Sequence, residues 1–303
     1  MARSELGKRI AVAAVGIPAA VAAIYLGGWI LGGVLALIAA GATAELYRLS
    51  ALQGARPFVL PGVVAAAAYI LLAAGHPHPA EATPLFWELT LALVLAFSAA
   101  AIWARGVEGL PLEAVAVTVL GAVFTGGTLS YALFLRHLRP GATLVDGAAL
   151  AAAFNPWTGT AFVLFPIAIT WFNDSCAYFV GRAIGRHKLI PAVSPGKTVE
   201  GAVAGLVGSM LAGFVFSHWI FGAWLGVPMS AVAGIGGGLV VSVAAQLGDL
   251  AESLFKREAG VKDSGHLLPG HGGLLDRFDA LFFTIPIAYW FLRIALPYLG
   301  GAP

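Results

Sequence analysis

The sequence predicts an all-α polytopic membrane protein, a helical bundle with about nine transmembrane helices and a cytoplasmic N-terminus. Three observations support this class. Hydrophobic residues make up 59% of the 303 residues and charged residues only 11%, whereas a soluble domain carries about 25% charged residues. The apolar residues form runs of the ~20 residues that cross a bilayer. Basic residues concentrate in alternate connections between these runs.

Nine apolar runs are candidate spans. In chain order they cover roughly residues 10–27, 29–47, 59–75, 86–104, 115–135, 160–181, 201–222, 229–248 and 278–298. The first run continues without the small-residue cleavage pattern of a signal peptide, so we expect it to be retained. Residues 76–85 form a polar, Pro-rich connection that is not expected to cross. Residues 136–157 form a longer loop or a partly membrane-associated segment.

The basic residues predict the orientation of the chain. With the N-terminus inside, 14 of the 17 Lys and Arg residues fall on the inner side, and only Arg136, Arg139 and Arg293 fall on the outer side. This bias favours a cytoplasmic N-terminus. It also places the two most charged segments, residues 174–200 and 249–279, on the cytoplasmic side, where nucleotides are found.

The distribution of charge limits the possible functions. The two charged segments hold 16 of the 32 charged side chains, and a membrane protein that confines charge in this way is expected to build a polar site at the bilayer surface. The net charge is only +2, with no basic arm or stripe, which argues against a nucleic-acid partner. Because Cys176 is the single cysteine, an intramolecular disulfide is excluded.

The eighth run and its continuation carry a polar stripe. Successive spacings of four, three, four and three residues place its members on one helix face, while the rest of the helix is apolar. Such a face must contact protein or water rather than lipid. The alternative is a solvated helix end with ordinary salt bridges. The stripe consists of Ser242, Gln246, Asp249, Ser253 and Lys256.

The ninth run begins with the carboxylates Asp276 and Asp279, preceded by a Gly-rich turn at residues 269–273. Carboxylates in a first helical turn can simply complement the helix dipole. The glycines, however, allow backbone N–H groups to bind phosphate, and carboxylates beside phosphate suggest Mg²⁺. Asp249 and Asp276 would reach one ion if the eighth and ninth helices are neighbours. A zinc site is not indicated, so His271 is interpreted as a hydrogen-bond donor to phosphate or as a general acid.

The sixth run contains Asn173 and Asp174 in an apolar context. A charged residue there costs roughly 2.5–3.5 kcal/mol on insertion scales, so it is either functional or satisfied by buried polar partners. Further along, Gly196-Lys197-Thr198 is similar to part of a phosphate-binding loop, but Pro191 replaces the first glycine and no strand is predicted before it. A lysine and hydroxyl groups that open a helix still suit a phosphate ligand.

The segment from Ser253 to Asp279 resembles the signature of the phosphatidate cytidylyltransferase family. Its fixed positions are filled by Ser253, Lys256, Arg257, Lys262, Asp263, Gly265, Pro269, Gly270, His271, Gly272, Gly273, Asp276, Arg277 and Asp279. An upstream block is similar at Asn173, Asp174, Tyr178, Phe179, Gly181, Lys188, Leu189, Ser194, Pro195, Lys197, Thr198, Glu200 and Gly201. The resemblance to the family covers roughly residues 160–295 well. The first 150 residues match the family mainly in hydropathy.

The resemblance implies transfer of CMP from CTP to phosphatidic acid with Mg²⁺, by a homodimeric membrane enzyme with a cytosol-facing polar cavity. It makes Asp249 and Asp276 the metal ligands and leaves a second cation open. The implied catalytic residues are Asp249, Lys256, Arg257, Lys262, Asp263, His271, Asp276, Arg277 and Asp279. The implied substrate-binding residues are Asn173, Asp174, Lys188, Ser194, Lys197, Thr198, Glu200, Ser253, Gly270, Gly272 and Gly273.

We therefore expect one integral membrane unit over residues 1–303. Residues 1–157 would form mainly a scaffold with lipid and dimer contacts, and residues 158–303 the catalytic half. Two alternatives stay open: a related enzyme that uses CTP to activate or phosphorylate another membrane lipid, and an ion-coupled transporter with Asp174 and Asp249 as a cation relay. Transporters usually show a pseudo-repeat with broken helices in both halves, whereas the polar residues here cluster in the C-terminal half.

Overall fold

The structure is a computed structural model of the chain and describes residues 2–139, 144–145, 148–149, 155–265 and 272–296. Nearly all regular structure in these residues is helical. The helices are α1 (Ala2–Leu26), α2 (Gly28–Leu52), α3 (Val59–Gly75), α4 (Pro79–Ala104), α5 (Pro111–Ala122), α6 (Tyr131–Arg136), α7 (Pro156–Ile184), α8 (Val199–Val215), α9 (Ala231–Glu258), α10 (Leu275–Phe278) and α11 (Leu281–Ala295). π-Helical segments, Val123–Gly127 and Phe216–Trp224, directly follow α5 and α8.

The helices confirm the predicted class of all-α polytopic membrane protein. Within the described ranges, seven helical stretches are long and apolar enough to cross a membrane. They are Gly28–Leu52, Pro79–Ala104, Pro111–Arg136, Pro156–Ile184, Val199–Trp224, Ala231–Glu258 and Leu275–Ala295. Two shorter apolar helices, Ala14–Leu26 and Val59–Gly75, lie at the first and third of the nine predicted apolar runs.

The prediction of a polar connection over residues 76–85 is wrong for most of that segment. Helix α4 begins at Pro79, so only a short connection follows α3. The first turn accepts Pro79 because its missing N–H would have no helical partner there. Glu81 in the same turn complements the positive end of the helix dipole.

Two short antiparallel hairpins interrupt the helices. Strands β1 (Leu144–Val145) and β2 (Ala148–Ala149) pair within the predicted 136–157 connection, half of which lies outside the described residues. Strands β3 (Lys188–Ile190) and β4 (Ser194–Thr198) form the second hairpin, where no strand was predicted. Its turn begins at Pro191, whose fixed φ favours this position, and the Val193 N–H donates to the Ile190 carbonyl at 3.2 Å.

The first of two compact units contains Met1–Leu133 and Leu254–Asp279. In this unit α2 packs against α3, and α3 packs against α5. Tyr47 lies at this junction with 1% exposure, and its hydroxyl donates to the Thr118 carbonyl at 2.5 Å. Gly62 and Gly121 make room for the ring, because a Cβ at either position would overlap it.

The second unit contains Phe134–Ser253 and Ala280–Pro303. Helix α7 packs along α8 and also contacts α11. Glycines allow the close approach of α8 to α7, since a Cβ at Gly205 would fall 2.5 Å from Asn173 Oδ1. A Cβ at Gly208 would overlap Cys176 Sγ. The division of roles between residues 1–157 and 158–303 stays a prediction.

Candidate functional site

A cavity of about 580 Å³ lies in the second unit. It is bounded by α7, the β3–β4 hairpin, the start of α8 and the polar stripe of α9. Six predicted site residues line it. The complete lining is Asn173, Asp174, Ala177, Tyr178, Gly181, Arg182, Leu189, Ser194, Gly196, Lys197, Thr198, Gly201, Ala202, Gln246 and Asp249.

The amide of Asn173 joins α7 to α9. Its side-chain oxygen accepts hydrogen bonds from Ser242 Oγ at 2.8 Å and Gln246 Nε2 at 3.0 Å. Its Nδ2 donates to Asp174 Oδ1 at 3.0 Å, and Gln246 also donates to the Ala202 carbonyl at 3.0 Å. A satisfied buried network of this kind fixes the geometry of its members. The Asn173 side chain therefore supports the cavity wall and orients Asp174.

Lys197 and Asp249 form an ion pair at the cavity wall. Lys197 Nζ on β4 lies 2.6 Å from Asp249 Oδ2 on α9, and the two side chains are 27% and 34% exposed. Ser253 Oγ donates a long hydrogen bond of 3.4 Å to Asp249 Oδ1. Partly exposed pairs contribute at most about 1 kcal/mol to stability. The lysine can therefore exchange its carboxylate partner for an anionic ligand at low cost.

The start of α8 is fixed by side chains of the hairpin. Thr198 Oγ1 accepts a hydrogen bond from the Gly201 N–H at 3.2 Å and so caps the helix. Glu200 does not line the cavity: its carboxylate accepts from the His187 N–H at 3.2–3.3 Å and lies 2.7 Å from His187 Nδ1. Glu200 thus ties the residue before β3 to α8. Lys188, exposed on β3, also lies off the cavity lining.

Tyr178 and Arg182 line the cavity but were not among the predicted site residues, although Tyr178 belongs to the upstream block of the family resemblance. Arg182 Nη1 donates to the Tyr178 hydroxyl at 2.8 Å, and both side chains line the cavity. Their spacing of four residues places them on one face of α7, together with Asp174. This periodicity would have been enough to identify them.

A second polar cluster lies in the first unit around Asp276, which is only 6% exposed. Asp276 Oδ2 accepts from the Ser264 N–H and Oγ, both at 2.9 Å, and from the Gly273 N–H at 2.8 Å. Asp276 Oδ1 accepts from Lys256 Nζ at 2.8 Å. The preceding Gly272 has φ +78°, a conformation that favours glycine.

Glu45 of α2 belongs to the same cluster. Its carboxylate accepts from Ser264 Oγ at 2.8 Å and from the backbone N–H groups of Leu274 at 3.0 Å and Leu275 at 2.8 Å. The residue lies in the part of the chain interpreted as scaffold and was not predicted. A single carboxylate inside an apolar membrane helix is the signal that would have indicated it. Glu45, Lys256, Ser264, Gly273 and Asp276 are called the Asp276 cluster below.

The remaining predicted residues are spread over the surface or lie outside the described ranges. The exposed residues are Arg257, Lys262, Asp263 and Arg277. Asp279 follows the last residue of α10. Gly270 and His271 lie outside the described residues. Asp249 and Asp276 belong to different compact units, so their sharing of one metal ion stays a prediction.

Comparison with known proteins gives the family. The model of the cytidylyltransferase family matches residues 7–295. The chain belongs to the cytidylyltransferase family. A phosphatidate cytidylyltransferase of Synechocystis is 35% identical over 97% of this chain and 99% of its own length.

Other relatives in the cytidylyltransferase family match over shorter stretches. The phosphatidate cytidylyltransferase of Haemophilus influenzae is 43% identical over 47% of this chain and 49% of its own length. That of Staphylococcus saprophyticus is 45% identical over 43% of this chain and 48% of its own length. These two matches therefore span about half of each relative, whereas the Synechocystis match spans nearly all of both chains.

The carboxylates differ in how well they fit a divalent cation. Asp174 and Asp249 line the same cavity, and two carboxylates open to solvent suit Mg²⁺, which keeps several waters in its shell. Asp276 is less well arranged to bind a cation, because Lys256 already donates to its Oδ1 and three donors engage its Oδ2. Ligation by Asp276 would require the Lys256 ammonium to move. Within the described ranges, no three His, Cys, Asp or Glu side chains gather around one point.

Substitution of Gly205 by Ala is expected to destabilise the second unit by about 1–3 kcal/mol, as overpacking typically does. The new Cβ would lie 2.5 Å from Asn173 Oδ1, which is held in place by its donors and cannot move freely. Thermal unfolding in detergent measures the effect. Gly33→Ala is the matched control, since a Cβ there meets nothing within 4 Å. Equal unfolding temperatures of both variants would contradict the packing described for Asn173.

Proposed function

We propose that the protein transfers the cytidylyl group of CTP to phosphatidate, forming CDP-diacylglycerol and pyrophosphate. Membership of the cytidylyltransferase family and the nearly full-length match to the Synechocystis enzyme support this reaction. The observation that carries the proposal is the cavity among apolar helices, where Arg182 and Lys197 stand beside Asp174 and Asp249. Cations and carboxylates that line one cavity suit a triphosphate that arrives with a divalent cation.

The reaction is a displacement at phosphorus. An oxygen of the lipid phosphate attacks the α-phosphorus of CTP, a new P–O bond forms, and the bond to the β-phosphate oxygen breaks. Pyrophosphate leaves with the electron pair. Phosphatidate is already largely deprotonated at neutral pH, so no strong general base is required. Catalysis therefore depends on positioning and on neutralising charge.

The basic side chains of the cavity supply part of that neutralisation. Lys197 of β4 can release Asp249 and pair with a phosphate oxygen, while Arg182 of α7 offers a planar donor group in the same cavity. Asp249 and Asp276 are the proposed Mg²⁺ ligands, with Asp174 as an additional candidate in the cavity and a second cation left open. When bound, Mg²⁺ polarises phosphoryl oxygens and orients the leaving group.

The cellular setting is also part of the proposal. CTP is found in the cytoplasm and phosphatidate in the bilayer, so the cavity is proposed to open at the cytoplasmic face of the cell membrane. The excess of basic residues in the inner connections supports this orientation. A homodimer is proposed on the family resemblance alone. The mass of the protein in detergent, corrected for bound detergent, tests it.

Position-specific labelling of CTP tests the reaction. The purified protein is incubated with Mg²⁺, phosphatidate and CTP labelled at either the α- or the γ-phosphate. We expect lipid product labelled only from α-labelled CTP, together with one pyrophosphate per lipid. Label from the γ-phosphate would instead indicate lipid phosphorylation and contradict the proposal. A panel of other lipid phosphates then defines the acceptor.

Lys197→Ala is expected to raise KM for CTP by about 10- to 100-fold, the equivalent of one hydrogen bond to a charged group. The change removes the ammonium from the cavity and leaves Asp249 without its ion-pair partner. Steady-state kinetics over a range of CTP concentrations measures it. Arg186→Ala is the control, because Arg186 is exposed just before the same hairpin and does not line the cavity. An unchanged KM in Lys197→Ala would place the nucleotide elsewhere.

A further inference from the structure

Glu45 occupies a position that helix propensity and membrane insertion do not explain. It lies in α2, a helix that is otherwise mostly apolar, yet it is only 9% exposed. A charged residue within a membrane helix is costly unless polar partners satisfy it. Here the partners are the Ser264 hydroxyl and two consecutive backbone N–H groups, those of Leu274 and Leu275.

The three donors all belong to the signature segment around Asp276. Leu274 and Leu275 directly precede Asp276, and their N–H groups lie at the start of α10, where backbone donors have no helical partner. The Glu45 carboxylate provides these missing acceptors from another helix. Since Leu275 is fully buried, water cannot replace the carboxylate there without rearrangement.

Ser264 connects Glu45 directly to Asp276. Its Oγ lies 2.8 Å from Glu45 Oε2 and 2.9 Å from Asp276 Oδ2. A serine hydroxyl has only one proton, so the two carboxylates share that donor. A change at Glu45 therefore alters the hydrogen bonding of Asp276 as well as the backbone before it.

The close approach of the segment to Glu45 requires glycine at two places. A Cβ at Gly265 would lie 2.6 Å from Glu45 Oε1, and a Cβ at Gly273 would overlap the same carboxylate and Ser264 Oγ. Both glycines belong to the signature resemblance. Their lack of a side chain is thus explained by the carboxylate of α2 as well as by any role in phosphate binding.

We propose that Glu45 is a positioning residue for the cytidylyl transfer, acting through Ser264 and the Leu274–Leu275 backbone to hold Asp276 in its working orientation. The inference rests on the proposed function, since it gives Asp276 a part in that reaction. Groups that orient a ligand carboxylate typically contribute 10- to 100-fold to metal affinity or activity. Through Glu45, helix α2 from the first half of the chain would take part in positioning Asp276.

Glu45→Gln tests the proposal with nearly unchanged side-chain volume. The amide has one acceptor oxygen in place of two, so its NH₂ group must face the backbone N–H of either Leu274 or Leu275, which can only donate. We expect amide hydrogen exchange at Leu274 and Leu275 to accelerate at least about 10-fold, as local hydrogen bonds weaken. We also expect the half-saturating Mg²⁺ concentration for transfer to rise about 10- to 100-fold. Loss of folded protein would lower the rate but leave that concentration unchanged.

Two further variants complete the experiment. Glu88→Gln makes the same chemical change at an exposed position of α4, and it is expected to leave both readouts at their wild-type values. Ser264→Ala removes the shared hydroxyl while Glu45 keeps both backbone donors. Ser264→Ala is expected to raise the half-saturating Mg²⁺ concentration but to change amide exchange at Leu274 and Leu275 less than Glu45→Gln does. If Glu45→Gln fails to fold, Ser264→Ala provides the test.

The outcomes separate this inference from the proposed function. Unchanged exchange at Leu274 and Leu275 in Glu45→Gln would overturn the inference, because the carboxylate would then not hold the segment. Faster exchange with wild-type Mg²⁺ dependence and rate would overturn it too, because the reaction would not depend on the contact. If the wild-type protein transfers no CMP to lipid, the proposed function fails, while exchange still decides whether Glu45 fixes the backbone before Asp276.

Discussion

Asp249→Asn is expected to lower the rate of CMP transfer from CTP to phosphatidate by about 1000-fold, the upper range for removal of one transition-state contact. Asn keeps the size of the side chain but removes the negative charge from the cavity wall. The proposed Mg²⁺ ligand is lost, and the Lys197 ammonium, now 2.6 Å from a neutral group, would hold phosphate in an altered position. The rate of formation of α-labelled lipid measures the effect.

The fold is expected to survive this change. The network of Asn173, Ser242 and Gln246 that joins α7 to α9 does not include Asp249, and the ion pair is partly exposed. Thermal unfolding within a few degrees of wild type would establish this. Glu108→Gln, in the exposed connection between α4 and α5, is the matched control for loss of one carboxylate. Transfer by Asp249→Asn at a rate close to that of the control would contradict the role given to Asp249.

Asp276→Asn is expected to abolish transfer and also to destabilise the first unit by about 3–5 kcal/mol, the usual cost of breaking a buried ion pair. Asp276 and Lys256 are 6% and 13% exposed. An asparagine can direct its oxygen either to Lys256 or to Ser264 and Gly273. In either orientation its NH₂ group faces a donor or an ammonium, so no rotation restores the hydrogen bonds.

A double variant separates the two effects of Asp276→Asn. Adding Lys256→Met removes the ammonium that the first change leaves buried, and it is expected to restore part of the stability but none of the activity. With the single variant Lys256→Met as well, the stability change of the double variant minus those of both single variants gives the coupling energy of the pair. An Asp276→Asn protein that unfolds at the wild-type temperature and still transfers CMP would refute both the packing and the catalytic assignment.

Much of the fold follows from hydropathy, and the exceptions have physical reasons. The nine apolar runs were predictable because each is about as long as a bilayer is thick. The predicted start of α4 is too late, because the whole Pro-rich segment 76–85 is interpreted as a connection, although Pro79 is well tolerated in a first helical turn. The β3–β4 hairpin was missed because strands of three and five residues rich in polar groups have no detectable alternation.

The site was predictable where it depends on spacing within one helix. On the polar stripe of α9, Ser242 and Gln246 both contact Asn173. Asp249, on the same stripe, lines the cavity. Contacts between distant segments were not predictable from periodicity. The Lys197–Asp249 pair and the approach of Glu45 to Ser264 depend on which helices pack together, and hydropathy does not specify partners. The resemblance to the family signature identified Asp276 but gave no indication of Glu45.

Photocrosslinking tests the central claim that the cavity between α7, α8 and α9 binds the nucleotide. A CTP analogue with a photoreactive base is irradiated with the purified protein and Mg²⁺, with and without excess CTP, and labelled peptides are identified by mass spectrometry. We predict CTP-protected labelling at cavity-lining residues, within segments 173–182, 194–202 or 246–249. CTP-protected labelling confined to helices such as α3 or α4, which do not line the cavity, would contradict the account.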